Sequence, residues 1–279
     1  MSKRFYVLLL ISLFAVAVPR VSAQLYINEF LALNASSASD PDFGRFADFI
    51  ELWNASPSPI DLNGYAITDN PSRKDKWALP AVTLAPGAFL VIWADGADAR
   101  PGDTVRAEYR ATPVPAVAAH ANFSLSGDGE YIGVFDASGN LVDELTFGVQ
   151  ESDVSRGRAS AAHSTWWYFR EATPGGPNAS FGAMTLLTAA EARFSLPAGF
   201  HPAGSALRIT GELPEDVVRF TFDGSTPSES SPAFPDSFPL LRNYVVRARV
   251  YRPGMLPSPV VTRSYLVGNP PSLPVVSMT

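Results

Sequence analysis

From Leu25 onward, short apolar runs alternate with connectors rich in Ser, Asp, Pro and Gly, as β-strands alternate with turns. LYINEFLALN (from Leu25) and DFIELWN (Asp48 to Asn54) flank a polar loop. In the second run Phe49, Glu51 and Trp53 share one face, and Ile50 and Leu52 the other. A strand apolar on both faces is expected at the centre of a sandwich, with Trp53 in the core. Glu51 then needs a hydrogen-bond partner, expected at a strand end. Ala88 to Ala94 (AFLVIWA) reads as another buried strand that places Trp93 in the core. Tyr131 to Asp136 and Leu141 to Phe147 form a hairpin across the Ala137-Ser138-Gly139-Asn140 turn. Residues 97–119, with Pro101, Pro113 and Pro115, are expected to form a long edge loop.

A second set of strands follows near Ala192: Phe194 to Pro197, Ala206 to Thr210, Val218 to Phe222, Val245 to Tyr251 and Val260 to Val267. In Val245 to Tyr251 the alternation points Val246, Ala248 and Val250 inward, and Arg247 and Arg249 outward to solvent. Pro174 and Pro177, with Gly175, Gly176 and Gly182, mark the boundary between the two sets.

Several of these runs carry a family resemblance. The strand with Ile27-Asn28-Glu29-Phe30, then DFIELWN, then IDLNGYAITD (Ile60 to Asp69), resembles the opening of bacterial lamin-tail domains. Leu84-Ala85-Pro86-Gly87 running into FLVIWADG, and the block from His120 to Asp143, extend the likeness, and Thr173-Pro174-Gly175-Gly176-Pro177-Asn178 resembles the closing turn of that family. The resemblance implies an immunoglobulin-like β-sandwich over residues 24–181. Phe220-Thr221-Phe222-Asp223-Gly224-Ser225-Thr226-Pro227, the run to Tyr251, and Ser264-Tyr265 resemble the small module appended to chitobiases and β-hexosaminidases. That implies a smaller, immunoglobulin- or fibronectin-III-like sandwich over 192–268, joined by a linker at 182–191. The fold class is therefore all-β, two tandem sandwiches. Leu273 to Met278, within 269–279, resembles the opening of the spore-coat kinase family called CotH. On that likeness the chain is expected to be the front part of a longer secreted protein whose kinase-like domain follows Thr279.

The composition narrows the function classes. Residues 1–23 carry Lys3 and Arg4, an apolar run from Val7 to Val18 and a Val21-Ser22-Ala23 cleavage site. That is the pattern of a signal peptide, so a secreted or cell-surface protein with no membrane association after cleavage is expected. The chain has 21 Lys and Arg against 27 Asp and Glu. Removing residues 1–23 takes away Lys3, Arg4 and Arg20 and no acid, leaving −9. Such a charge repels phosphate backbones, and nucleic acid is not an expected partner. With no cysteine, thiol catalysis and Cys-type zinc sites are excluded.

No catalytic constellation is legible. His120, His163 and His201 lie far apart without an H-E-x-x-H or G-x-S-x-G pattern, and His120 reads as a partly buried packing residue. Gly127-Asp128-Gly129 and Asp223-Gly224-Ser225 read as turns. Among the acids near the first strands, Glu29, Asp40, Asp48 and Glu51, with Asp42, are the candidates for a Ca²⁺ site, since that ion takes six to eight oxygen ligands. The alternative is solvated loop acids, and no other cofactor is expected. Trp53, Trp77, Trp93, Trp166 and Trp167 are candidates for a carbohydrate-stacking platform. One of the adjacent pair Trp166-Trp167 is expected to face solvent. The expected function is non-catalytic binding, adhesion or positioning through an extracellular or cell-wall ligand, protein or polysaccharide. The alternative is the accessory region of a CotH-like kinase, or of a secreted nuclease or hydrolase, with the catalytic domain downstream.

Overall fold

The structure, a computed structural model, describes residues 25–105, 114–115, 117–159, 162–179 and 181–269. Residues 1–24, on which the expected signal peptide falls, part of the 97–119 loop, the side chain of His163 and the final residues from 270 lie outside the described residues. All regular structure described is β, as the alternation and turn chemistry predict.

The strands of the first sandwich are β1 (Leu25–Leu31), β2 (Asp48–Asn54), β3 (Ala66–Thr68), β4 (Trp77–Ala78), β5 (Phe89–Ala94), β6 (Ala119–His120), β7 (Glu130–Phe135), β8 (Leu141–Phe147), β9 (Ser155–Ala159) and β10 (Ala162–Phe169). A six-stranded sheet runs β6-β5-β2-β1-β9-β10, and a four-stranded sheet β8-β7-β3-β4 faces it. The hairpin expected around Gly139 is present as β7–β8. Between the sheets lies one apolar core that includes Ile27, Phe30, Ile50, Leu52, Ile67, Trp77, Ile92, Ile132 and Val134. Period-2 alternation is what sends Ile50 and Leu52 into it and leaves Phe49, Glu51 and Trp53 on the outer face of the large sheet.

Asp143 ties the two sheets at one side. Its Oδ2 accepts Ile27 N at 2.8 Å and Arg158 Nη2 at 2.6 Å, so β8 of the small sheet grips β1 and β9 of the large one. The Ile27 amide is available because the β1–β2 register slips between Ile27 and Glu29. Arg158 also donates Nε to Ile27 O at 2.8 Å, and its guanidinium lies over the rings of Tyr26 and Trp166.

In the second sandwich β11 (Gly199–His201), β12 (Val217–Thr221), β13 (Tyr244–Tyr251) and β14 (Val261–Val267) form a sheet in the order β11-β14-β13-β12. Val246, Ala248 and Val250 are fully buried, as their alternation predicts. Arg249 corrects the expectation of a solvated edge: it is buried, and its Nη1 donates to Glu171 at 2.9 Å. Tyr251 donates its hydroxyl to the same carboxylate, and Phe181 meets the Tyr251 ring edge-on.

The segment 182–191 is thus more than a tether. Ala183 exchanges backbone hydrogen bonds with Tyr168, Ala189 N donates to Leu256 O, and Val154, Ala183 and Leu256 share one buried cluster. Between these anchors Met184, Leu186 and Leu187 are exposed. Limited proteolysis is expected to cut at 184–187 first, with the two halves still co-eluting on gel filtration because the anchors on either side stay buried. Halves that separate at once would show that the anchors carry no interface.

Candidate functional site

The outer face of the six-stranded sheet divides into three parts. At one end Leu31, Phe49 and Trp93 form a small buried cluster, roofed by Ala38, Ala47, Ala118 and Ala172. Trp93 is buried as expected, although on this outer face rather than between the sheets. The roof is held by loop acids. Asp40 Oδ1 accepts the amides of Asp42 and Phe43, and its Oδ2 accepts that of Arg45. Asp42 accepts Val117 N and Ala118 N.

His120 is the keystone of that end. It is wholly buried rather than partly so, with Nδ1 2.9 Å from Asp95 Oδ2 and Nε2 3.1 Å from Asp42 Oδ2. Burial pulls its pKa down, but the bonds to Asp95 and Asp42 outweigh that, and the net shift is upward. Burial likewise raises Asp42, but bonds from Val117, Ala118 and His120 win, and its pKa is lowered. With both ring nitrogens committed to carboxylates the imidazole has none left to activate a nucleophile. Its work is to fasten three loops.

In the middle of the face stand Glu29 and Glu51, directly opposite each other across β1 and β2, and neither is exposed. Glu51 therefore sits mid-sheet rather than at a strand end, and its partners come from far along the chain. Asn28 Nδ2 donates to Glu51 Oε1 at 2.7 Å, and Gly175 N to Oε2 at 2.5 Å. Glu29 accepts Ser155 Oγ at 2.5 Å, Thr173 N at 3.0 Å and Thr173 Oγ1 at 3.1 Å. Loop 173–178 is thereby laid across the sheet. Asn178 locks its far end, donating to Arg158 O at 2.8 Å and accepting Asn28 Nδ2 at 2.9 Å. Gly157 on β9 permits this approach, because a Cβ there would overlap the Asn178 amide.

Among the described residues, no loop is laid across the remaining end as 173–178 is across the middle. Tyr26, Trp53 and Phe89 stand side by side on β1, β2 and β5, all half-buried. Trp53 and Phe89 are near parallel, 12° apart with centroids at 6.2 Å, and Tyr26 lies 6.4 Å from Trp53. Beside them is a cleft of about 280 Å³ lined by Asn28, Trp53, Gly87, Phe89, Pro177 and Asn178, among others. Gly87 forms its rim in a tight turn at φ 75°, which its lack of Cβ allows. Trp53 therefore corrects the expectation of a core residue: both strand faces are apolar, but only one faces the main core.

The other tryptophans are placed elsewhere. Trp77 is buried, with Nε1 donating to Asp98 Oδ1 at 2.9 Å. Trp166 and Trp167 are both half-buried; Trp166 packs on the main core and Trp167 lies against Gly182. The five acids considered for Ca²⁺ do not form one cluster, and Asp42 is taken up by Val117 N, Ala118 N and His120. Glu29 and Glu51 meet, whereas Asp40 closes its own loop and Asp48 accepts Asn34 N at 3.1 Å. Among the described residues no three His, Asp or Glu side chains are grouped as a metal would require.

The sequence alone does not mark Phe89, Tyr26 or the loop donors Thr173, Gly175 and Asn178 as site residues. The available signal was an acid in an apolar strand, which requires a remote donor.

Residues 19–148 match the family model described as Lamin Tail Domain, and residues 207–265 the one described as Fn3 associated. Each match falls on one sandwich, and both families are non-catalytic immunoglobulin-like modules. The first stops short of β9, β10 and the 173–178 loop, which complete the sheet and its roof. No curated protein matches the chain.

Proposed function

We propose that this pairing of a lamin-tail sandwich with an Fn3-associated sandwich is a non-catalytic extracellular binding module, secreted or held at the cell surface. Its ligand is a cell-wall polysaccharide, and the first sandwich binds it. The observation that carries the reading is the row Tyr26–Trp53–Phe89 beside an open, largely apolar cleft. Aromatic rings held side by side by a sheet offer flat faces to the C–H face of sugar rings. Elsewhere on that sheet face the polar groups are consumed in holding loops.

The test is co-sedimentation of the secreted chain with insoluble cell-wall polysaccharide, comparing wild type with Trp53→Ala. Wild type is expected to be retained, and the variant to lose at least tenfold in affinity. Being half-buried, Trp53 should cost about 1–2 kcal/mol of stability when truncated, less than the ~3–5 typical of a core tryptophan. Equal retention of both, or retention of neither, overturns the reading; a variant that fails to fold returns Trp53 to the core.

The order of the modules, with Leu273 to Met278 after them, favours a second reading as the accessory region of a CotH-like secreted kinase. Incubation with ATP and Mg²⁺ should then label a chain extended past Thr279 and leave this one unlabelled. Label on the short chain would sink both readings.

A further inference from the structure

Glu29 and Glu51 form a buried pair of like groups whose hydrogen bonds converge on one short loop. Among the described residues, Thr173 N, Thr173 Oγ1 and Gly175 N, with the Gly176 amide also acting on Glu51, belong to the loop that crosses them. The charged groups on the surrounding elements are committed elsewhere. Arg158 on β9 pairs with Asp143, and Arg156 stacks on Tyr168. Asp48, at the start of β2, accepts Asn34 N. Glu171, just before the loop, holds Arg249, and Arg170 pairs with Glu151. β5 contributes no charged residue, and Asp95 after it is bound to His120. On Glu51 the Coulombic influence comes from Glu29.

The geometry points to a proton-held lid. While the pair keeps its protons, loop 173–178 lies closed over the sheet, and ionisation of both carboxyls releases it. Release uncovers the middle of the outer face and reshapes the adjoining cleft, whose wall includes Pro177 and Asn178.

The direction follows from which effect is larger. Burial pushes Glu29 up to about 7, against the bonds from Ser155 and Thr173. Burial pushes Glu51 up to about 8, against Asn28 and Gly175 and helped by the charge of Glu29. Desolvation thus outweighs the loop's own hydrogen bonds, so two ionised carboxylates are better served by water than by the closed loop. Both folded-state pKa values lie above the usual 4.5. Closure is therefore fully favoured below pH 4.5 and is lost as pH rises through 7 to 8.

Hydrogen exchange on the full chain from pH 5.5 to 9, corrected for intrinsic rates, tests this without any ligand, so it stands or falls apart from the polysaccharide reading. Protection of the Thr173 and Gly175 amides is expected to fall at least tenfold across pH 7–8, while amides of β2 and β5 keep theirs. In Glu29→Gln/Glu51→Gln the fall should vanish. Protection that does not change with pH, or that falls equally in the double variant, overturns the proposal. If that variant does not fold, carboxyl ¹³C shifts of the wild type decide: titration of both residues below pH 5 refutes the lid, and titration near 7 and 8 supports it.

Discussion

Replacing Asp143 with alanine is expected to destabilise the first sandwich by about 3–5 kcal/mol, the cost of removing one partner of a buried ion pair. The pair is closed at 2.6 Å with Arg158 8 % and Asp143 15 % exposed, so solvent screens it little. Without Asp143 the guanidinium stays wedged over Tyr26 and Trp166 with its charge uncompensated. The bulged Ile27 amide loses its acceptor as well. A few kcal/mol is a large part of the ~5–15 that a domain has in total. Urea unfolding followed by tryptophan fluorescence measures it, and Asp143→Asn, which keeps an acceptor oxygen, should lose less. A loss below 1 kcal/mol for the alanine variant would mean that the two sheets are held by the core alone.

His120→Ala is expected to cost a similar ~3–5 kcal/mol, from an unfilled buried volume and from two carboxylates left without their shared counter-charge. The pH dependence separates this from a plain packing loss. Because the His120 pKa is raised above 6.5 in the folded state, its stabilisation is complete below 6.5 and disappears as pH rises through the folded value. Asp42, lowered from 3.8, contributes above that value and stops contributing as pH falls through its folded one. Wild type should therefore be most stable in mildly acidic solution and lose melting temperature toward pH 9, a trend that Glu29 and Glu51 reinforce. In His120→Ala the part of that slope just above pH 6.5 should shrink. A variant whose melting temperature falls with pH as steeply as wild type would show that His120 is neutral in the fold and acts only by packing.

What the sequence determined by itself is local in origin. Strand periodicity and turn chemistry are set within a few residues, so the β7–β8 hairpin around Gly139, the Asx turn of Asp223 and the inward set Val246, Ala248 and Val250 were all legible. So was the all-β class. Alternation also assigned Phe49, Glu51 and Trp53 to one face of their strand. It could not say what covers that face, because cover comes from segments distant in the chain. Glu51 is met by Gly175, 124 residues away, and His120 by Asp42, 78 away. Coverage made Phe49 core, Glu51 a buried anchor and Trp53 the wall of a cleft, three outcomes from one periodicity. Arg249 went from solvated edge to buried partner for the same reason, when Glu171 was brought against it. Side-chain direction is a property of the strand; desolvation, and with it pKa and binding, is a property of what the tertiary fold lays on top.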